Sequence, residues 1–329
     1  MVKGKKVLVT GAGGFIGSHL VEALLEKGAN VRAFVKYNSR SDWGMLSDLP
    51  EETQKSIEVI TGNVRDPFFV RKAVQGCDYV FHLAALIGIP YSYVAPEDYV
   101  AVNVFGTLNV LQACQDERTP RMVHTSTSET YGTALYVPID EKHPMQGQSP
   151  YSASKIGADK MVESYYNSFE LPVVTVRPFN TFGPRQSSRA FIPTVVSQAL
   201  TRKKILLGSL EPVRDMTFVK DTAEGLITVG LSDKVLGQTV NLGVGKGQTI
   251  GSIAKMILHI LDKQDIPIEK DVARIRPEKS EVMRLISDNT KARDICGWSP
   301  NYSFEQGLAE TIEWIRKNLN TYRPDHYTL

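Results

Sequence analysis

Cysteine is scarce, charge is nearly balanced and long apolar runs are missing, and each shortage closes off a class of function. The three cysteines, Cys77, Cys114 and Cys296, stand far apart with no CxxC or Cys/His spacing. That pattern excludes a disulfide scaffold and a cysteine-built metal centre, and fits reduced thiols in the cytoplasm. A formal charge of +2 offers no basic surface for nucleic acid or an anionic membrane. No apolar run approaches the roughly 18 residues that span a bilayer, and a strand pattern begins within a few residues of Met1, so neither a membrane segment nor a leader is expected. Repeats and low-complexity segments are also missing. What is present is 42% apolar and 22% charged residues in a chain of 329, enough for two lobes that share a cleft.

Residues 5–10 read as a buried strand and residues 18–27 have helical apolar spacing. Between them lies Gly11-Ala12-Gly13-Gly14-Phe15-Ile16-Gly17. Strand, glycine turn and helix together make a phosphate cradle. Gly11 permits the turn, Gly14 lets a pyrophosphate approach and Gly17 lets helix pack on strand, with Phe15 and Ile16 opening the helix end that faces the anion. The second strand, 30–35, runs into Lys36-Tyr37-Asn38-Ser39-Arg40 with no acid before Asp42. An NAD site usually offers an acid there to the ribose, so Lys36, Ser39 and Arg40 point to the 2′-phosphate of NADP, with NAD possible, unless they are only solvated loop charges.

A third strand, 57–60, leads to Asn63 and Val64, which edge an adenine or form a simple turn. A fourth, 80–85, ends in Leu83, Ala84 and Ala85, small enough to admit a ligand. His82 reads as a packed core histidine, and no second histidine or cysteine suggests a metal. Helix 99–115 carries Asn103 and Thr107 on its apolar face, where they line the cleft or satisfy the helix; Pro90 and Pro96 make 86–96 a loop.

Arg121-Met122-Val123-His124 then delivers Thr125-Ser126-Thr127-Ser128-Glu129, as a parallel strand delivers polar groups to its carboxyl edge. Tyr151 and Lys155, at i and i+4, share a helical face. A hydroxyl, a tyrosine and a lysine in one cleft can move a proton while a cofactor moves a hydride. After the strand 173–178 the alternation of strand and helix stops. The fold expected is α/β, a Rossmann doubly wound parallel sheet over 1–178, with about 214–245 returning to it, and a smaller carboxyl-terminal α/β lobe over 179–329. Segments 281–285, 288–296 and 304–319 show helical spacing.

The glycine loop, Thr127-Ser128-Glu129, Tyr151 with Lys155, Arg177-Pro178-Phe179-Asn180, Gly183-Pro184-Arg185 and Arg214-Asp215 occur together and in order. Over nearly the whole chain this set resembles the extended short-chain dehydrogenase/reductases, the nucleotide-sugar epimerases, decarboxylases and 4,6-dehydratases. The resemblance implies a homodimer binding NAD(P) and a nucleotide sugar. It implies that Tyr151 takes the proton of a sugar C4 hydroxyl while hydride passes to nicotinamide, that Lys155 holds the nicotinamide ribose, and that Thr127 holds the substrate hydroxyl. A tyrosine working at neutral pH needs its pKa lowered by about 3 units, a shift expected from the charges of Lys155 and the nicotinamide.

Glu129 decides among activities. An epimerase needs no acid there, and a decarboxylase of this family has an arginine shortly before its tyrosine, where this chain reads Gly147-Gln148-Ser149-Pro150. A 4,6-dehydratase needs a base for C5, which Glu129 fits. Many dehydratases have Asp before that Glu; Ser128 is a poor acid and has a positional part. Ala85-Leu86-Ile87-Gly88-Ile89-Pro90-Tyr91-Ser92 and the stretch from Arg276 to Leu285 look like dehydratases acting on nucleotide-linked N-acetylglucosamine. Tyr91, Asn180, Arg185, Arg214 and Arg284 are the substrate candidates, the arginines because their forks suit phosphate oxygens or else as structural ion pairs.

Overall fold

In chain order the strands are β1 (Lys6–Thr10), β2 (Asn30–Lys36), β3 (Glu58–Gly62), β4 (Tyr79–His82), β5 (Arg121–Thr125), β6 (Val173–Pro178), β7 (Asn180–Phe182), β8 (Ile205–Leu207), β9 (Val213–Phe218), β10 (Thr239–Leu242), β11 (Gly247–Thr249), β12 (Ile268–Lys270) and β13 (Arg284–Leu285). The α-helices are α1 (Phe15–Glu26), α2 (Glu51–Lys55), α3 (Pro67–Val74), α4 (Ile89–Val94), α5 (Pro96–Tyr99), α6 (Gly106–Asp116), α7 (Pro150–Phe169), α8 (Phe191–Thr201), α9 (Val219–Gly230), α10 (Ile250–Ile260), α11 (Thr290–Asp294) and α12 (Phe304–Lys317). The computed structural model describes residues 2–275 and 277–322. Arg276, in the stretch that resembles the dehydratases, lies outside them, as do the side chains of Ala273 and Glu278.

Seven strands form one parallel sheet in the order β10-β6-β5-β4-β1-β2-β3. Alternate residues of its apolar strands serve opposite faces. Val7 and Val9 join Leu20, Leu24 and Leu226 from α1 and α9, whereas Leu8 joins Val70, Val110 and Leu111 from α3 and α6. This is the doubly wound α/β arrangement, and its strand order reverses between β1 and β4. Helices cross to opposite sides there, which leaves a crevice at the carboxyl ends of those strands.

Within the stretch 214–245, α9 packs against the large sheet and β10 becomes its seventh strand. β9 instead centres a second sheet, flanked by β11 and β13 and joined by β7. A separate core of Phe182, Ile192, Phe218, Ile257 and Leu308 holds α8, α10 and α12 together.

Three expectations are corrected. Residues 86–96 contain α4 and α5 rather than only loop, because Pro90 and Pro96 sit in the first helical positions, where no N–H partner is required. Helix 99–115 is not uniform: Val100–Phe105 forms a π-helical segment between α5 and α6, with Asn103 inside it. Residues 281–285 end in β13, paired with β9, since five residues are too few to separate helical from extended periodicity. No described helix is long and apolar enough to cross a membrane.

Candidate active site

At the crevice the chain is tightly compressed. Gly11 has φ +70°, and a Cβ on it would stand 2.7 Å from the Ala84 nitrogen; one on Gly17 would stand 2.2 Å from the Gly11 carbonyl oxygen. Gly14 is the N-cap of α1 and no side chain caps that end, so the amides at Phe15 and Ile16 open a positive helix terminus. Cradle and open terminus fit a dinucleotide pyrophosphate. Beside them the Leu83 amide donates to the Thr10 carbonyl (3.2 Å) and the Ala84 amide to Thr10 Oγ1 (3.2 Å), fixing the edge that runs on to Ala85.

Lys36, Ser39 and Arg40 are exposed in a loop organised by Asn38. Its Oδ1 accepts from the amides of Arg40 (3.0 Å) and Asp42 (3.1 Å). Met45 N donates to the Gly13 carbonyl at 2.9 Å, so this loop lies against the glycine turn. Asn63 Oδ1 accepts from the Arg65 amide at 3.0 Å, forming a turn, and the neighbouring Val64 is buried.

The polar residues on the helix behind are satisfied within the protein, one of the two roles that the sequence left open. Asn103 is fully buried. Its Nδ2 donates to Leu86 O and Ser154 Oγ, both at 2.9 Å, and its Oδ1 accepts from Leu86 N at 2.8 Å. An amide so occupied clamps the Leu86 loop and has no donor left for a cofactor. His82 is a core residue, between Thr10 Oγ1 (2.8 Å) and Thr107 Oγ1 (3.0 Å). Because Thr107 donates its own proton to Asn103 O, His82 must donate from Nε2 and accept at Nδ1. Burial, with the charges of His124 and Lys155, holds its pKa well below the ordinary value.

At the end of β5, Thr127 caps the 3₁₀ turn Ser128–Tyr131, its Oγ1 accepting from the Glu129 amide at 3.2 Å. Ser128 is buried and Glu129 half-buried. Opposite, α7 starts with a capping box between Ser149 and Ser152 and a proline at its first position, which fixes Tyr151 at the second. Tyr151 is 7% exposed and meets Tyr99 edge-on, with ring centroids 6.2 Å apart. Its hydroxyl lies near enough to Thr127 and Glu129 for both to act on it. Lys155 is buried, its Nζ donating to Thr125 O at 2.8 Å. Thr127, Glu129, Tyr151 and Lys155 therefore share one pocket.

Burial dominates the electrostatics of this pair. Burial pushes the Tyr151 phenol above its ordinary pKa, the Thr127 hydrogen bond pulls it down, and Glu129, Tyr99 and Asp159 push it up. Burial also brings Lys155 down to about 8, with Asp159 opposing.

Tyr91 is partly exposed and tilts against Tyr99 at 6.1 Å. Asn180 Oδ1 is buried with no hydrogen-bond partner among the described residues, an acceptor left open for a ligand donor. Arg214 on β9 is buried and donates to Glu281 at 3.3 Å. Arg284, on adjacent β13, is exposed and in register with Val213. For Arg185 the structure shows the ion pair. It is buried against α1, paired with Glu22 and hydrogen-bonded to His19.

The family model described as GDP-mannose 4,6 dehydratase matches residues 8–311. The chain belongs to that family. The dTDP-glucose 4,6-dehydratase of Xanthomonas campestris pv. campestris is 31% identical over 94% of this chain and 93% of its own length. The UDP-glucose 4-epimerase of Mycolicibacterium smegmatis is 30% identical over 94% and 98%. Among solved structures, DesIV, a dTDP-glucose 4,6-dehydratase from Streptomyces venezuelae with NAD and TYD bound, superposes with a TM-score of 0.87 at 28% identity, covering 97% of this chain and 99% of that one. This member of the GDP-mannose 4,6 dehydratase family is thus an NAD(P)-dependent enzyme of the nucleotide-sugar dehydratase, epimerase and decarboxylase group.

Sequence reasoning missed one buried group beside the site. Asp159 stands one helical turn past Lys155 and bonds Ser126, His124 and Arg177. The signal was available in the series 151, 155, 159 on a single face, and in an arginine standing inside the apolar run Val173-Val174-Thr175-Val176-Arg177.

Proposed function

We propose that this enzyme is a nucleotide-sugar 4,6-dehydratase acting on UDP- or GDP-N-acetylglucosamine, a cytoplasmic homodimer that prefers NADP to NAD. The observation that carries the reaction is the carboxylate of Glu129, half-buried in the same pocket as Tyr151 and close enough for its charge to act on that phenol. The N-acetylglucosamine substrate rests on the resemblance of residues 85–92 and 276–285. NADP rests on the absence of an acid between Phe34 and Ser41, where Lys36, Ser39 and Arg40 offer groups to a phosphate.

Gly11, Gly14, Phe15, Ile16 and Gly17 would cradle the pyrophosphate, with Asn63, Val64, Leu83, Ala84 and Ala85 along its path and Lys155 on the nicotinamide ribose. When bound, the dinucleotide would supply the hydride chemistry, oxidation at sugar C4 and reduction at C6. Tyr151 accepts the C4 hydroxyl proton while Thr127 holds that oxygen. The ketone so formed acidifies the C5 proton, which Glu129 removes; the C6 hydroxyl takes up that proton from the same carboxyl and leaves as water, and C5 regains a proton from solvent as C6 is reduced. Ser128 has only a positional part in this step. Arg214 and Arg284 bind the diphosphate end, Asn180 reaches a diphosphate oxygen or the sugar, and Tyr91 lies at the sugar.

The test is incubation with UDP- and GDP-N-acetylglucosamine in deuterated water, followed by NMR. A 4-keto-6-deoxy product deuterated at C5 is expected; a C4-inverted sugar that keeps its C6 hydroxyl rejects dehydration in favour of epimerisation. In Glu129→Gln, water loss should fall by about 10²-fold or more while single-turnover cofactor reduction survives. Unchanged turnover in that variant removes Glu129 from the mechanism.

A further inference from the structure

Behind Tyr151 and Lys155 lies a set of buried charges that the proposed reaction does not use. Asp159, one turn past Lys155 on α7, accepts hydrogen bonds from Ser126 Oγ at 2.8 Å and from Arg177 Nη2 and Nε at 2.7 and 3.2 Å, and lies 3.0 Å from His124 Nε2. All four residues are buried. The Arg177 guanidinium also covers the Tyr131 ring, 4.9 Å from its centroid. Burial first, and the Lys155 charge second, keep His124 below its ordinary pKa, so it is neutral at working pH. The charges present are then one carboxylate and two cations, Arg177 and Lys155.

That count matters because the interior screens weakly. If Asp159 faced Lys155 alone, the two would neutralise one another and no net charge would favour a phenolate nearby. With Arg177 hydrogen-bonded through two nitrogens to the same carboxylate, one positive charge is left over. The lysine that carries it is one turn from Tyr151. We propose that Arg177 is a positioning residue for proton transfer at Tyr151: by neutralising Asp159 it leaves the Lys155 ammonium uncompensated, so that this charge acts on the tyrosine. The proposal rests on the reading of Tyr151 as the group that accepts the sugar proton.

The other groups facing this set are constant across the test. Glu129 comes from the turn after β5, Tyr131 from the same turn and Tyr99 from α5. From β4 comes His82, its ring 5.9 Å from that of His124. Glu163, one turn further on α7, lines a small cleft behind the Asp159–Arg177 pair and is itself bound to Lys160 at 2.6 Å.

The experiment compares Arg177→Met, Asp159→Asn and the double variant with the wild type as the cofactor-loaded enzyme, following kcat/KM against pH. In Arg177→Met the acidic limb, where Tyr151 must lose its proton, moves towards alkaline pH by about one unit, a loss of about tenfold below the limb. In Asp159→Asn it moves the other way. The double variant removes both charges, avoids an unpaired buried ion, and returns the limb to its wild-type position. Tyrosine 13Cζ NMR of the protein without substrate, with the resonance assigned by Tyr151→Phe, shows the same ordering without turnover.

A structural role alone lowers kcat in every variant and leaves the limb in place, which overturns the proposal, as does a shift of both single variants in one direction. If Arg177→Met does not fold, Asp159→Asn and the double variant decide by the same criterion. Should the NMR ordering hold while no 4-keto-6-deoxy product forms, the dehydratase reading fails and the charge arrangement stands.

Discussion

Burial drives the two ends of the Tyr151 and Lys155 pair towards their neutral forms, raising the phenol and lowering the ammonium to about 8. Only an ammonium supports a phenolate, so kcat/KM is expected to fall as pH rises through about 8, where Lys155 loses its proton. Lys155→Arg, which stays charged, should keep whatever activity it has above that pH; an alkaline limb unmoved in the variant assigns the loss to another group. At this scale, legibility followed locality. Thr127, Glu129, Tyr151 and Lys155 were readable because each pair is close in sequence and its spacing fixes a shared face or edge. Asn103 and Arg185 stayed open between a ligand role and a structural one because residue type shows what a side chain can bind, not which protein group has already bound it: Leu86 in one case, Glu22 and His19 in the other. Asp159 and Arg177 are joined only by the fold.

Helix α7 carries the tyrosine at its second position, so its start is a functional boundary. Ser149 Oγ accepts from the Ser152 amide at 3.1 Å, and Ser149 N donates to Ser152 Oγ at 2.9 Å. Ser149→Ala should cost about 1 kcal/mol in denaturant unfolding. It should also lower kcat more than it raises KM, since loosening that first turn moves Tyr151 rather than the diphosphate site. Equal kcat with lower stability would show that Tyr99 and Thr127 suffice to hold the ring. The long elements were legible from periodicity: β6 and the strand–turn–helix of β1 and α1 stand where apolar spacing puts them. The failures are short. α4 begins beside a proline that from sequence looks like a breaker, and β13 spans two residues whose partner strand is far away in the chain.

For the whole molecule, buried imidazoles set the response to acid. Burial brings His19 down to about 3, and His82 and His124 also lie below their ordinary value. The unfolded chain takes up protons near pH 6.5 that the folded one refuses, so stability is complete above about pH 7 and falls as pH drops. Between pH 7.5 and 6 the three together should remove about 2 kcal/mol, read as a falling denaturation midpoint at constant m-value. A midpoint constant over that interval would mean that these rings are charged in the native state. Asp215, which burial pushes up to about 6 against the opposing pull of three backbone amides, gains a proton on the folded side as pH falls through that value and offsets part of this loss. The sheet itself has a late finish. Its outermost member on one flank, β10, is supplied only after the chain has visited the other lobe; it runs beside β6 with Asn241 opposite Arg177, and Asn241 accepts from the Tyr131 hydroxyl at 2.8 Å. A fragment halted at Pro178 would leave β6 a bare rim of unpaired amides and carbonyls, open to any stray strand. It would also leave the guanidinium behind Lys155 without the neighbour that seals it, so the chemistry end of α7 is completed only when much later sequence has arrived.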